Sequence, residues 1–321
     1  MARGKNGSGA VRLTLRPVAH PVAVATLALW LWATPVQAAD VPYVPTPWNV
    51  VDAMLKIAAV GADDYLIDLG SGDGRINIAA AKKLGTHGFG VDLDDNLVRT
   101  ASREAARQGV KERVAFHARN LFDTDISKAT VISMYLLNSV NLRLRPQLFK
   151  LRPGTRIVSH DFDMAAWAPD EKMTIAVPDK SYGPPSSEIY LWIVPADASG
   201  RWRWQAGDAA KADAEVTLEQ TFQMISGTGQ VAGGRALVRD ARVRGEQVSF
   251  ALMIEHGGRV QRQVFSGRLS GETIEGTVIV EGARIPWRAQ RVGGRGRMII
   301  DAAREPNPDV VAGQFLIKEQ Q

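Results

Sequence analysis

Apolar positions along residues 46–160 recur in two rhythms, and these predict alternating helices and strands. Val50, Met54, Leu55 and Ile57 recur at helical spacing across residues 46–60. Tyr65-Leu66-Ile67 is a short apolar run that reads as a buried strand, and the alanine-rich stretch 76–84 reads as the helix after it. A second strand ends at Phe89-Gly90-Val91-Asp92, and residues 94–109 form a helix stopped by a glycine. Val114-Ala115-Phe116 and residues 130–136 give a third and a fourth strand. Residues 140–150 form a helix closed by Pro153-Gly154, and residues 155–160 a fifth strand. The runs 173–177 and 188–194 have no helix-length segment between them, which suits a terminal antiparallel hairpin. Strands separated by helices imply an α/β, doubly wound, Rossmann-like sheet of seven strands with helices on both faces.

The pattern changes after Val194. Pro195 and residues 196–200 read as a linker, and residues 201–304 as a β-rich accessory domain. Val216, Leu218, Gln220, Phe222 and Met224 alternate like a strand face, and so do parts of 248–254. Trp202 and Trp204 alternate too, as core or barrel rim. Turn signals recur at Gly233-Gly234, Gly245-Glu246, Gly257-Gly258, Ser270-Gly271 and Glu281-Gly282. Short strands at hairpin spacing predict a small antiparallel barrel or sandwich. No metal spacing, nucleophile-base pair or phosphate loop lies in it, so a binding or stabilising role is expected. Residues 305–321 read as a tail.

The densest chemistry is Asp68-Leu69-Gly70-Ser71-Gly72-Asp73-Gly74-Arg75, between the first strand and its helix. Glycines there bend the chain and let backbone N–H groups approach a ligand. No G-x-G-x-x-G is formed, which argues against a dinucleotide oxidoreductase. Asp68 at the strand end would repel a pyrophosphate and attract an ammonium. Asp92, roughly twenty residues past the loop, stands where doubly wound folds place a ribose acceptor. A ligand with an ammonium, a carboxylate and a ribose is S-adenosylmethionine. His160-Asp161-Phe162-Asp163 reads as a cleft-edge loop rather than a metal site, and no metal is expected.

Charge adds a leader to this picture. The net charge is +5, but residues 1–39 carry Arg3, Lys5, Arg12 and Arg16 and no acid. Residues 40–195 hold 18 basic against 19 acidic side chains, so no nucleic-acid face is expected. The basic start, the apolar stretch 18–33 and Val36-Gln37-Ala38-Ala39 have the layout of a signal peptide cut after Ala38, or of an anchor. Membrane contact through 18–33 is then expected. Both readings place the body, residues 40–195 and onward, in the periplasm or on the outer face of the inner membrane. Cofactor supply keeps a cytoplasmic location as the alternative.

Residues 41–194 resemble a class I methyltransferase. More narrowly, they resemble the mitochondrial lysine methyltransferases of the ATP synthase c subunit and the adenine nucleotide translocase, with their bacterial relatives. The residues that carry this are Val41-Pro42-Tyr43-Val44-Pro45, the glycine loop, Asn120-Leu121-Phe122, Tyr135-Leu136-Leu137, and Leu151-Arg152-Pro153-Gly154-Thr155-Arg156-Ile157-Val158-Ser159. The resemblance implies that Asp68, Gly70, Ser71, Gly72 and Asp92 hold the cofactor, helped by Leu121 and by Asn120 as acceptor for the adenine amino group. Asn120 stands where the family commonly has Asp, and Asn138 where relatives often have Pro. Tyr43 is expected as a lid, with Tyr135 and Asn138 lining the slot for the methyl acceptor. The implied acceptor is a protein lysine. The alternatives are a small-molecule methyltransferase and a catalytically silent envelope protein whose β-domain binds.

Overall fold

The computed structural model describes residues 43–180, 183–206 and 212–300. The expected leader and tail lie outside the described residues. Chain order begins α1 (Trp48–Ile57), β1 (Tyr65–Leu69), α2 (Arg75–Leu84), β2 (His87–Asp92), α3 (Asp95–Arg107) and β3 (Val114–Ala118). It continues with β4 (Val131–Met134), α4 (Asn138–Leu148), β5 (Arg156–His160), β6 (Glu171–Ala176) and β7 (Ser186–Ile193). Among the described residues, no helix is long and apolar enough to cross a membrane.

These strands form one sheet in the order β3-β2-β1-β4-β5-β7-β6. The first five run parallel, and β7 inserts antiparallel between β5 and β6. The central strands are buried on both faces, so Leu66, Ile67, Val131 and Ile132 read as continuous apolar runs rather than alternating ones. One face packs on α1 and α2 through Val50, Met54 and Ala80. The other packs on α4 through Val140, Leu144 and Leu148. The strand order reverses between β1 and β4, and ligands of open α/β sheets bind in the crevice at such a point.

The remaining strands close into a barrel: β8 (Gly200–Ala206), β9 (Ala212–Thr221), β10 (Met224–Val231), β11 (Gly234–Arg244), β12 (Gln247–His256), β13 (Arg259–Ser270), β14 (Thr273–Val280) and β15 (Ala283–Arg295). Pairing of β15 with β8 and of β9 with β10 completes the ring and leaves no free edge. Trp204, Phe250, Phe265 and Trp287 fill the interior, with Phe250 stacked on Phe265 at 4.9 Å. Trp202 is buried in the same core. Side chains therefore occupy the barrel's centre.

Two sequence expectations change here. The small residues 196–199 do not behave as an exposed linker. Ala196, Ala198 and Ser199 are buried, the two alanines within the barrel core. Gln220 ties this segment down, accepting from Ala198 N–H at 2.7 Å and donating to Ala196 O at 3.0 Å. Phe222 does not continue a strand face. It sits in the turn between β9 and β10 at φ 53° and packs in the core of the seven-stranded sheet.

Candidate active site

β1 ends in a turn of three left-handed glycines, Gly70, Gly72 and Gly74, with φ of 78°, 52° and 78°. Gly70 and Ser71 N–H both donate to Val91 O at 2.9 Å, tying the loop to β2. Gly74 N–H donates to Ser71 O at 2.8 Å, and Gly74 caps α2. A Cβ on Gly72 would stand 2.5 Å from the Tyr43 ring. Gly72→Ala therefore combines a strained φ with a ring displaced from the loop. Its expected cost exceeds about 1 kcal/mol of stability, with weaker cofactor binding, read by denaturation and calorimetry.

Loop and strand ends surround a cleft of about 450 Å³. Tyr43, Asp68, Gly70, Ser71, Gly72, Asp92, Leu121 and Tyr135 all line it. Sequence reasoning missed Arg119, Leu93, Leu97 and Leu136, which line it as well. Leu97 carried a legible signal, since it lies in the first turn of a helix that starts right after Asp92. Tyr43 lies across Gly72, and its hydroxyl is pushed up to about 12 by burial and by Asp73.

The acids of the cleft divide by their partners. Asp73 is bound by Arg75 in a fork, Nε to Oδ1 at 2.9 Å and Nη2 to Oδ2 at 2.6 Å. Arg75 also donates to Thr46 O at 2.7 Å and so anchors the segment that carries Tyr43. Asp92 accepts from Gly72 N–H at 2.9 Å through one oxygen and from Asp94 N–H at 3.0 Å through the other. Each oxygen keeps a further lone pair for a ligand hydroxyl. Asp68 is 2% exposed and accepts from Ser133 Oγ at 2.7 Å. Among the described residues, neither Asp68 nor Asp92 forms a salt bridge.

Burial pushes Asp68 up to about 7, and the nearby Asp92 and Asp73 carboxylates raise it further while Ser133 opposes them. An ammonium placed beside Asp68 would supply the missing countercharge. The folded state holds this proton more tightly than the unfolded chain does. Stability from the neutral form is thus full below the ordinary carboxylate value and lost as pH rises through about 7. Cofactor affinity runs the other way, rising with pH up to about 7 as the carboxylate forms. Asp68→Asn should flatten both slopes, measured by thermal unfolding and calorimetry on either side of neutrality.

Two expected site residues are placed elsewhere. Asn120 is not among the cleft-lining residues. Its Oδ1 accepts from Phe122 N–H at 3.0 Å and caps the short 3₁₀ turn Leu121–Asp123, with a second lone pair left over. Asn138 is exposed at the start of α4 and also lies outside the lining. It donates to Asp163 Oδ1 at 2.7 Å and holds the loop after β5. Tyr135 is half-buried, with its ring centroid 3.8 Å from His160 and 6.1 Å from Phe162. His160 is fully buried, with Nε2 2.8 Å from Ser187 Oγ. Burial drives it down to about 4, Lys180 adding to the fall and Asp161 opposing it, so the imidazole beneath Tyr135 is neutral at neutral pH.

A glycine loop on β1, a strand-end acid on β2 and a reversal of strand order define a class I S-adenosylmethionine-dependent methyltransferase. The ANTKMT methyltransferase domain model matches residues 68–171. A protein-lysine N-methyltransferase of Saccharolobus islandicus (strain REY15A) is 46% identical over 156 residues, 48% of this chain and 94% of that protein. The adenine nucleotide translocase lysine N-methyltransferase of Mus musculus is 31% identical over 168 residues, 49% of this chain and 73% of that protein. A solved RNA methyltransferase from Salinibacter ruber, in complex with S-adenosyl-L-homocysteine, is 49% identical over 47% of this chain and 94% of that chain, with a TM-score of 0.43. The chain belongs to the ANTKMT methyltransferase family, and its cofactor is S-adenosylmethionine. The cleft suits that cofactor: Asp68 and Asp92, without a salt bridge among the described residues, would meet its cationic and hydroxyl groups.

Proposed function

We propose that this enzyme methylates the side-chain amine of a protein lysine, with the acceptor entering beside Tyr135. The observation that carries the reading is the relative from Saccharolobus islandicus, a protein-lysine N-methyltransferase matched over 94% of its own length. The cofactor supplies a methyl group already activated on a sulfonium. Transfer is an in-line displacement in which an N–C bond forms as the S–C bond breaks, leaving a thioether. The methylated ammonium then releases a proton to solvent.

The chain's own work is to bind, orient and exclude water. A lysine amine has an ordinary pKa of about 10.4 and reacts only when neutral. The faces of Tyr135 and Phe162, with buried Leu136, offer it a poorly hydrated wall that favours the neutral form. His160, itself neutral, supports that wall without placing a second positive charge beneath the amine. Tyr135→Phe keeps the ring wall and removes only the hydroxyl, a contact on the amine side, so it should lower transfer modestly with little change in cofactor affinity. Calorimetry with S-adenosylmethionine and transfer of a labelled methyl group to protein test this together. Equal losses in both would place Tyr135 on the cofactor instead.

The basic and apolar leader supports an acceptor among membrane and envelope proteins. Fractionation and N-terminal sequencing should find a periplasmic product that begins at Ala39, or an inner-membrane product that keeps residues 18–33. A cytoplasmic product that retains Met1 would remove this part of the reading.

A further inference from the structure

The loop 161–170, between β5 and β6, reaches Tyr135 through Phe162, whose ring centroid lies 6.1 Å from that of Tyr135. It contains two non-glycine residues in the left-handed region, Asp161 at φ 59° and Ala165 at φ 50°. Such conformations persist only where the surroundings hold them. α4 supplies one set of restraints. Asn138 donates to Asp163 Oδ1 at 2.7 Å, Asn141 to Phe162 O at 3.1 Å, and Arg145 to Met164 O at 3.1 Å.

The second set comes from the barrel. Phe222 is 3% exposed and stacks on Trp167 at 6.2 Å with 13° between the planes. Gln223, 2% exposed, donates to Ala168 O at 2.6 Å. Arg242 on β11 pairs with Asp170 at 2.6 Å, and that carboxylate also accepts from Ile193 N–H at 2.7 Å. The β9–β10 turn thus packs against the far end of the loop whose near end carries Phe162 and Asp163. The relative from Saccharolobus islandicus is matched over 94% of its length by 156 residues, so it is too short to hold both the sheet and a barrel.

We infer that the barrel is a working part of the acceptor site, and that Phe222 and Gln223 are positioning residues that set the 161–170 loop and thereby the wall beside Tyr135. The inference rests on the reading of Tyr135 as the acceptor slot.

The test uses the full chain with Phe222→Ala, and Gln223→Ala as the milder variant. Hydrogen exchange should rise about tenfold at the amides of Phe162, Trp167 and Asp170 while Gly70 and Ser71 keep their protection. Affinity for S-adenosylmethionine should stay within about twofold, and transfer of tritiated methyl to membrane proteins of a deletion strain should fall about tenfold. Phe222→Ala and Asn138→Ala should combine non-additively in transfer rate, because both act on one loop. Exchange that rises equally in barrel, loop and glycine turn would reduce the barrel to a scaffold and overturn the inference. A loosened loop with full transfer, in a protein that Tyr135→Ala disables, would overturn it as well. Full transfer by Tyr135→Ala would instead remove the slot reading on which it rests.

Discussion

Asp92→Ala should weaken S-adenosylmethionine binding by at least about tenfold, and by about a hundredfold or more where both oxygens bond the ribose. The carboxylate lies in the cleft and holds Gly72 N–H and Asp94 N–H, with a lone pair on each oxygen left for the ribose hydroxyls. Its loss removes one or two charge-assisted hydrogen bonds, each about 1.5–3 kcal/mol, and frees the loop N–H that orients Gly72. Asp92→Asn keeps one oxygen acceptor and should fall between. Calorimetry with S-adenosylmethionine measures both. Unchanged affinity in Asp92→Ala would take the ribose role from this residue.

Tyr135→Ala should lower transfer about a hundredfold while leaving cofactor affinity nearly intact. The ring lies over neutral His160 at 3.8 Å and beside Phe162, so its removal opens the wall to water. A reactant misplaced by an ångström costs transfer on this scale. Water in the slot also raises the cost of keeping a lysine amine neutral. Single-turnover transfer with saturating cofactor separates this from a binding defect.

The parts legible in the sequence were those set by local chemistry. Tyr65-Leu66-Ile67 followed by three glycines has few other ways to fold, and the acids at two strand ends fell into one cleft because the parallel sheet aligns those ends. The hairpin of β6 and β7 followed from the missing helix between them. The hairpin spacing predicted a small antiparallel barrel or sandwich, and the choice between them was not legible, because pairing of β15 with β8 joins segments far apart in the chain. Residues 196–199 looked like a linker because small residues suit both a solvated turn and a close-packed seam. Asn120 and Asn138 illustrate a competition that sequence cannot decide. A short amide at an element's start can serve a ligand or tie the protein, and here Asn120 caps its own turn while Asn138 holds Asp163 in the loop after β5. His160 was hidden for another reason. It was read at the end of β5 beside a cleft-edge loop, and its full enclosure by Tyr135 and Ser187 left no mark in the sequence. Phe222 fitted a strand alternation and instead crosses into the sheet's core.

The central claim is transfer of a methyl group from S-adenosylmethionine to a protein lysine. Its most direct test incubates the purified enzyme with deuteromethyl S-adenosylmethionine and the membrane, soluble and RNA fractions of a deletion strain, and locates the label by mass spectrometry. The expected result is a labelled methyl group on the Nζ of a defined lysine, strongly reduced with Asp92→Ala and with Tyr135→Ala. Label confined to RNA or to a small molecule, with every lysine unmarked, would contradict the account.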